Sequence, residues 1–376
     1  MKKIFVIYLT CVFILSSVLV LPVNSIKITD IENQSLPISD NSDDCECEYN
    51  IIEFLNENGA TPTNQPEIDD DLQLPSSWDW RAAEINTKNG VVQGDWVKGI
   101  KNQVPLKCGS CWAFAACDAL EARVRIVQQD PDYQFRFIID DETVYYPVDF
   151  SEQYVISCAP APFCEGCKRG ASFFAYMFMY NNKALMESSF PYLSGITGVT
   201  GQCIKQDPNW KQKLIPVHFP TYIINPTNRF IKYKLITHGP VVSGLTFYWD
   251  FYNWGTEVYD HPDDNPSDPI CHEVVIIGYD DNEGCWICKN SFGDLWGDNG
   301  FFKIAYDDSR IGDYICYSNY DKRSNRAFPI EKNIFQSFFR LWFLPSIIKL
   351  LLSRNNILLN YDSNSLSSYE CPCSKQ

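Results

Sequence analysis

Residues 103–114 read Gln-Val-Pro-Leu-Lys-Cys-Gly-Ser-Cys-Trp-Ala-Phe, and this stretch places Cys111 at the start of a predicted helix. The residues that follow, to Ile126, are rich in Ala, Leu, Glu and Arg, which favour helix. The unpaired N–H groups and the positive dipole end of a first helical turn stabilise a thiolate, the reactive form of cysteine. We therefore expect Cys111 to be a nucleophile.

Composition limits the classes of function that the chain can have. With 376 residues, of which 45% are hydrophobic, it can bury a sizeable core. Its net charge is −16 and it has no Lys/Arg-rich block, so the electrostatic attraction that dominates nucleic-acid binding is absent. We expect no nucleic-acid partner. The 16 cysteines are typical of a protein exported to a compartment where disulfides persist.

The chain divides into four segments. Residues 1–25 combine two lysines with an apolar run and predict a signal peptide, with an uncleaved anchor as the alternative. Residues 26–73 are acidic and predict a pro-segment or linker, residues 74–324 predict one domain, and residues 325–376 form a tail. The apolar amphipathic segment 334–352 of this tail predicts a helix that packs on the core or contacts a membrane surface.

Helical and strand patterns separate within the predicted domain. Its first half predicts helices at Cys111–Val127 and Ser151–Ser157, with Ser151 as an N-cap. Its second half carries β-branched and aromatic runs at Val241–Phe247, Glu273–Tyr279, Cys285–Cys288 and Gly300–Tyr306. We therefore predict an α+β domain with a cleft between a helical half and a sheet half.

A cysteine nucleophile requires a base, and the base requires a group that holds its orientation. Of the four histidines, only His272 directly precedes a strand of buried character. His261 lies in a polar loop and is expected to be solvated. Asn290 follows a strand, where its amide oxygen can accept from an imidazole, and Gln103 lies upstream of Cys111, where it can serve as an oxyanion donor.

These residues resemble the papain-like cysteine peptidases. The matching motifs, in the family's order, are Gly109–Phe114, Ser151-Glu-Gln, His272 before a Val/Ile strand, Lys289-Asn-Ser and Trp296–Phe301. The opening Ser77-Trp-Asp-Trp-Arg and the helix end at Leu120–Ile126 look most like the cathepsin C and X branches and their prokaryotic relatives.

The resemblance implies a two-lobed fold, in which a helical lobe and an antiparallel β-barrel-like lobe enclose the active-site cleft. It also implies peptide-bond hydrolysis through a thioester, without a cofactor or metal, on protein or peptide substrates. Cys111 is then the nucleophile, His272 the general base and acid, Asn290 the orienting residue and Gln103 the oxyanion donor.

Expected substrate contacts follow from the same resemblance. Gly170 belongs to the glycine-rich wall along which an extended substrate pairs. Arg169 stands where the family has glycine, so we expect it to narrow the cleft or to favour acidic residues in the substrate. Phe292 replaces the tryptophan that shields the His–Asn hydrogen bond, and Trp296 completes the expected substrate-binding set.

Several alternatives for the type of reaction stay open. Four residues, 104–107, separate Gln103 from the next cysteine where the family usually has two, which is similar to the longer loop of the carboxypeptidase cathepsin X. Lys107 is the residue there that can meet a substrate carboxylate. We take an endopeptidase as the default and a carboxypeptidase-like exopeptidase as the alternative. A catalytically dead binding homologue, and an acyltransferase or transglutaminase that uses the same chemistry, also stay open.

The cysteines permit a rival interpretation. Three Cys-x-x-Cys pairs, which begin at Cys108, Cys164 and Cys285, are compatible with a zinc or redox protein, although the exported compartment favours disulfides. The resemblance implies bridges Cys108–Cys167 and Cys158–Cys203, which leave Cys111 free. We expect Cys271–Cys316 as a third bridge. The partners of Cys45, Cys47, Cys371 and Cys373 and the oligomeric state are not predicted. We expect secretion, with a lysosomal or vacuolar compartment or membrane association through the tail as alternatives.

Overall fold

The computed structural model describes residues 52, 55–56, 59–161, 164–204, 207–261 and 270–320. All of them belong to one unit that spans Cys45–Gln376. The predicted signal peptide, the tail with its apolar segment, and Cys45, Cys47, Cys371 and Cys373 lie outside the described residues, so the expectations about them stay predictions. Among the helices of the described part, none has the length and apolar character that crossing a membrane requires.

One buried helix organises the first half of the domain. This helix, α1 (Cys111–Gln128), begins at the predicted cysteine, and 13 of its 18 residues are buried. Ser151 caps the next helix as predicted, because its hydroxyl accepts from the backbone N–H of Tyr154 at 2.9 Å. The remaining helices are α2 (Glu152–Cys158), α3 (Ser172–Asn182), α4 (Ser194–Thr197), α5 (Asn228–Thr237) and α6 (Trp249–Tyr252), with 3-10 turns at Glu187–Ser189, Trp210–Lys213 and Asp308–Arg310.

An antiparallel sheet forms most of the second half. The strands of the described residues are β1 (Ser77–Asp79), β2 (Glu84–Thr87), β3 (Gly90–Gln93), β4 (Gln134–Ile139), β5 (Glu142–Pro147), β6 (Ala184–Leu185), β7 (Leu214–Ile215), β8 (Thr221–Ile224), β9 (Val241–Phe247), β10 (Val258–Tyr259), β11 (Ile270–Asp280), β12 (Cys285–Lys289), β13 (Phe301–Ala305) and β14 (Tyr314–Tyr317). Eight of them form one sheet in the order β10-β13-β12-β11-β9-β14-β8, with β1 paired to β11. Its described pairs are antiparallel except β10 with β13. The predicted α+β class is thereby confirmed.

Strand β11 separates two hydrophobic cores. Because neighbouring residues of a strand point to opposite faces, Val275 and Ile277 pack into the core of the helical half. Val274 and Ile276 pack into the core of the sheet half. Helix α1 lies against β11. The helix that begins at Cys111 and the strand that carries His272 are therefore packed directly on each other.

Of the three expected disulfides, the two that the resemblance implies are present. They join Cys108 to Cys167 and Cys158 to Cys203. The third is wrong, because neither Cys271 nor Cys316 is in a disulfide. Cys271 is on β11 and Cys316 on β14, and β9 lies between these strands. Two strand spacings amount to about 9.6 Å, and a disulfide bridges Cα atoms only up to about 7 Å.

The chain before the predicted domain start also packs on the fold. Leu55 is fully buried, with 0% exposure. The backbone N–H of Thr63 donates to the carbonyl oxygen of Tyr222, on the edge strand β8, at 2.8 Å. Arg229 on α5 donates to the backbone carbonyls of residues 69, 70 and 72. The described part of the predicted pro-segment is thus attached to the domain.

Candidate active site

Cys111 occupies the N-terminus of α1, at the positive end of the helix dipole. The first turn carries no acidic side chain, and the cysteine is partly exposed and in no disulfide. The hydroxyl of the preceding Ser110 does not cap the helix and instead bonds the Tyr192 hydroxyl at 2.8 Å. The helix start therefore presents an accessible thiol where negative charge is stabilised.

His272 and Asn290 form a hydrogen bond that determines the imidazole tautomer. Nε2 of His272 lies 2.8 Å from Oδ1 of Asn290. The same Oδ1 accepts from the backbone N–H of Ser291 at 2.8 Å, which identifies it as the amide oxygen. Since an amide oxygen only accepts, Nε2 must carry the proton when the imidazole is neutral. The lone pair is then on Nδ1, which is the nitrogen available to take a proton.

Aromatic rings surround the histidine. Phe292 stacks on His272 with ring centroids 5.0 Å apart and an interplanar angle of 29°. Phe247 contacts the same ring edge-on at 5.7 Å. His272 is only 7% exposed, and burial lowers its pKa to about 4, while the hydrogen bond with Asn290 opposes this effect. The aromatic cover thus protects the His272–Asn290 hydrogen bond from water.

Gln103 is held in place by the residue after Asn290. Its side chain is buried, and its Oε1 accepts from the Ser291 hydroxyl at 2.5 Å. Its backbone N–H donates to the carbonyl oxygen of Ser291 at 2.8 Å. With Oε1 on the Ser291 hydroxyl, the NH2 group is the other polar end of the amide and can donate. His272, Asn290, Ser291 and Gln103 therefore form one connected network.

A buried ion pair ties the helix of Cys111 to the strand that leads to Asn290. Lys289 Nζ lies 2.9 Å from Asp118 Oδ1 on α1, and the two side chains are 2% and 3% exposed. Lys289 also donates to the carbonyl oxygen of Gly99 at 2.9 Å. Sequence reasoning missed this pair, because Asp118 lies 171 residues from Lys289 and no local pattern joins them.

A second buried lysine anchors the segment that leads to Gln103. Lys101 Nζ lies 2.7 Å from Glu121, 2.5 Å from Glu152 and 3.0 Å from Asp149. Burial disfavours the charged lysine, but these carboxylates outweigh it and raise the pKa of Lys101 well above its usual value. The lysine therefore stays charged and joins its own loop to α1 and α2. The sequence identifies Glu152 only as part of a helix start.

The predicted substrate-binding residues have different environments. A Cβ atom on Gly170 would lie 2.4 Å from the Trp112 ring, so this wall accepts only glycine. Arg169 pairs with Glu165 at 2.7 Å. Trp296 packs edge-on against Phe292 at 5.4 Å and donates its indole N–H to the Tyr252 carbonyl oxygen. Phe292 and Trp296 thus form a layered support for His272.

The other histidines lie outside this network. His238 is buried, its Nε2 lies 3.2 Å from the carbonyl oxygen of Ser318, and burial together with Arg123 and Lys234 lowers its pKa to about 3. The expectation that His261 is solvated is wrong, because its side chain is only 11% exposed. Its ring stacks on Tyr248 at 3.6 Å. The local sequence did not indicate this stacking, because Tyr248 lies 13 positions upstream.

The loop of residues 104–107 reaches from the start of α1 to the other half of the domain. Val104 and Leu106 pack against the core of the sheet half. Lys107 is exposed, and its Cβ lies beside Gly198, where an added Cβ would be 3.4 Å away. The two apolar side chains therefore hold the loop while Lys107 stays accessible.

Comparison with known proteins gives this chain a family. The family described as papain family cysteine protease matches residues 74–319. Pro-cathepsin H of Mus musculus is 30% identical over 251 residues, which cover 65% of this chain and 64% of that protein. The oryzain gamma chain of Oryza sativa subsp. japonica is 29% identical over 264 residues, which cover 69% and 63%. The chain thus spans just under two thirds of the length of these relatives.

Solved structures agree on the fold. Digestive procathepsin L2 proteinase from Tenebrio molitor larval midgut is 27% identical, with a TM-score of 0.52 and coverage of 67% of this chain and 70% of that one. Digestive procathepsin L 3 from the same source, at 22% identity, has a TM-score of 0.51 with 68% and 73% coverage, and shows the fold alone. The two-lobed architecture that the sequence predicts is therefore confirmed.

Proposed function

The chain belongs to the papain family of cysteine proteases, and from this membership we propose that it hydrolyses peptide bonds with Cys111 as nucleophile and His272 as general base and acid. Asn290 orients the histidine, and Gln103 donates to the oxyanion. The observation that carries this proposal is the 2.8 Å contact between His272 Nε2 and an Asn290 oxygen whose orientation Ser291 determines. It leaves Nδ1 as the proton acceptor that the reaction needs.

The reaction follows from these positions. His272 Nδ1 takes the Cys111 proton, and the thiolate attacks the carbonyl carbon of the scissile bond. The imidazolium then gives this proton to the leaving amine, and a thioester remains on Cys111. Water, deprotonated by the neutral imidazole, attacks the thioester and releases the acid and the thiol. The thiolate at the helix start supplies the charge that a buried imidazolium requires, so an uncharged Asn290 is sufficient as its second partner.

The oxyanion forms twice in this cycle, once at each tetrahedral intermediate. Gln103 meets the requirement for a preorganised donor, because its Oε1 is engaged by Ser291 and its NH2 group is the remaining polar end. The Cys111 backbone N–H at the helix start is the second donor. Each such donor lowers the barrier by about 3 kcal/mol.

Protein or peptide substrates bind extended along the wall that contains Gly170. The ion pair of Arg169 with Glu165 favours narrowing of the cleft over selection of acidic residues, because the arginine charge already has a partner at 2.7 Å. Phe292 and Trp296 act mainly by supporting His272 and excluding water from it.

The enzyme is made as a precursor and acts after export, with a lysosomal or vacuolar compartment as the alternative. Two disulfides support an oxidising compartment, and the names pro-cathepsin H and procathepsin L2 of similar proteins support a precursor. Residues 26–73 are the proposed pro-segment or linker and residues 74–324 the peptidase domain.

Endopeptidase action is the first choice, and carboxypeptidase-like action is the second. The second is favoured by the loop of residues 104–107, because Val104 and Leu106 attach it to the sheet half while Lys107 stays exposed. An internally quenched peptide with blocked ends separates the two. Cleavage of this peptide by the activated enzyme supports endopeptidase action. Turnover of free-ended peptides alone would identify an exopeptidase, and turnover of neither would contradict the peptidase assignment.

A further inference from the structure

Glu273 follows His272 in β11 and points into the opposite core. Period-two alternation puts it on the face of Val275 and Ile277, which pack into the helical half. The residue is 4% exposed. A carboxyl group at such a position must be hydrogen-bonded to be tolerated. The reaction described above does not use this group.

The carboxyl group of Glu273 connects three elements. Its Oε2 accepts from the backbone N–H of Ser172, the first residue of α3, at 3.0 Å, and Oε1 lies 3.4 Å from the same nitrogen. Oε1 also accepts a short hydrogen bond from the hydroxyl of Tyr314 on β14. Helix α3 starts two residues after Gly170 and belongs to the helical half, whereas β11 and β14 belong to the sheet. One side chain therefore joins the two walls of the cleft immediately beside His272.

We propose that Glu273 is a positioning residue for the peptidase reaction: its carboxyl group, held by Ser172 and Tyr314, maintains the spacing between the Gly170 wall and the strand that carries His272, and its negative charge favours the imidazolium form of His272. This inference rests on the proposed function, since it concerns the histidine of that site.

Other titratable groups that face Glu273 do not change charge near neutral pH. They are Tyr314 and Cys316 on β14, Tyr176 on α3 and Cys164 before it, and burial raises the pKa of each well above its usual value. Burial also raises the pKa of Glu273, to about 7, against the hydrogen bonds from Tyr314 and Ser172. Of these groups, Glu273 is the one whose charge varies between pH 5 and 9.

The charge has a predictable effect on the histidine. A carboxylate on the neighbouring residue stabilises the imidazolium of the thiolate–imidazolium pair. In Glu273→Gln the side chain keeps its shape and loses this charge, so the imidazolium loses its proton at lower pH. We expect the alkaline limb of the kcat/KM profile to shift down by about one pH unit. We expect the maximal kcat/KM to fall by about tenfold, since small displacements of catalytic groups slow the reaction.

Tyr314→Phe removes one hydrogen bond while the carboxyl group stays. The hydrogen bond from Tyr314 lowers the pKa of Glu273, so its loss also reduces the negative charge. We expect kcat/KM to fall by about tenfold, and the alkaline limb to move down by less than in Glu273→Gln. The control is Glu283→Gln, which changes an exposed carboxyl group paired with Lys303 at the far end of the β11–β12 hairpin. This control should match wild type in both readouts.

The experiment measures kcat/KM of the purified enzymes from pH 5 to 9, together with the pH dependence of Cys111 alkylation by iodoacetamide. Alkylation needs no peptide hydrolysis, so it reports the effect of the Glu273 charge on the active site even if the wild type cleaves no peptide. A wild type that cleaves no peptide would reject the proposed function and not this inference. If Glu273→Gln does not fold, the kcat/KM of Tyr314→Phe tests the proposal. Wild-type rates and profiles in Glu273→Gln, or wild-type kcat/KM in a folded Tyr314→Phe, would overturn the proposal.

Discussion

At the scale of single residues, the side-chain oxygen of Asn290 has the central position. It accepts from His272 Nε2 and from the backbone N–H of Ser291, both at 2.8 Å. Ser291 in turn donates its hydroxyl to Gln103. These hydrogen bonds therefore link the orientation of the histidine to that of the proposed oxyanion donor. Replacing one of these polar groups disturbs a neighbour whose role is different.

Gln103→Ala tests the oxyanion role. We expect kcat for peptide hydrolysis to fall by about 100-fold, because one preorganised donor is lost. Alkylation of Cys111 by iodoacetamide should keep its wild-type rate, since no oxyanion forms in that reaction. Gln212→Ala, at an exposed position, serves as the control and should change neither rate. Equal losses in hydrolysis and alkylation would assign Gln103 to the thiol's environment instead.

At the scale of elements, buried lysines hold the active-site segments together. Lys101 joins its loop to α1 and α2 through three carboxylates, and Lys289 joins β12 to α1. Removing one partner of such a group leaves an uncompensated buried charge, which is far more costly than the loss of an exposed pair. The loop before Cys111 is therefore fixed by electrostatics as well as by a disulfide.

Lys101→Met should lower the free energy of unfolding by about 3–5 kcal/mol. Lys98→Met is the matched control in the same loop, because Lys98 pairs with Asp132, whose side chain is 83% exposed. Lys98→Met should lower the free energy of unfolding by only about 0–1 kcal/mol. Urea denaturation at pH 7 measures both. Similar small losses in the two variants would mean that the cluster of Lys101 is not a structural anchor.

The segment before the predicted domain start gives a second test of this kind. Leu55 is fully buried, whereas Leu72 is 39% exposed. Leu55→Ala should reduce the free energy of unfolding by about 2–5 kcal/mol, and Leu72→Ala should stay within about 0.5 kcal/mol of wild type. Urea titration of the precursor provides the comparison. Stability unaffected by Leu55→Ala would show that this segment does not contribute to the folded domain.

Local sequence patterns predicted the positions of helices and strands better than they predicted which residues contact each other. The helix at Cys111 and the strand Val241–Phe247 follow the predicted bounds to within one residue, because both depend on propensities of neighbouring residues. The contacts of Glu273 escaped prediction, since Ser172 and Tyr314 lie 101 and 41 residues away. The proposed Cys271–Cys316 bridge failed for the same reason. Strand order, which places β9 between them, is not encoded in cysteine spacing.

At the scale of the whole molecule, buried groups of opposite sign determine how stability depends on pH. His238 has a folded pKa of about 3, below the usual value of about 6.5. It contributes stability that is present above pH 6.5 and lost as the pH falls. Glu187 and Glu273, each with a pKa of about 7, contribute stability that is present in acid and lost as the pH rises toward 7.

His238→Gln removes one of these pH-dependent contributions to stability, at a residue outside the active site. Wild type gains stability between pH 5 and pH 7 from this histidine, because the unfolded chain binds a proton that the folded chain does not. In the variant, the difference in unfolding free energy between these two pH values should be smaller by about 2 kcal/mol. Urea titrations at both pH values measure it. An unchanged difference would mean that His238 is not buried in its neutral form.

Hydrolysis by Cys111→Ala tests the central claim most directly. The measurement compares the activated wild type with this variant on an internally quenched peptide, after circular dichroism has established that both are folded. A reactive epoxide should also label the wild type once per chain, at Cys111, and leave the variant unlabelled. We predict that hydrolysis is abolished in the variant, because the thiol proposed to form the thioester is missing. Undiminished hydrolysis by Cys111→Ala would contradict the assignment of Cys111 as the peptidase nucleophile.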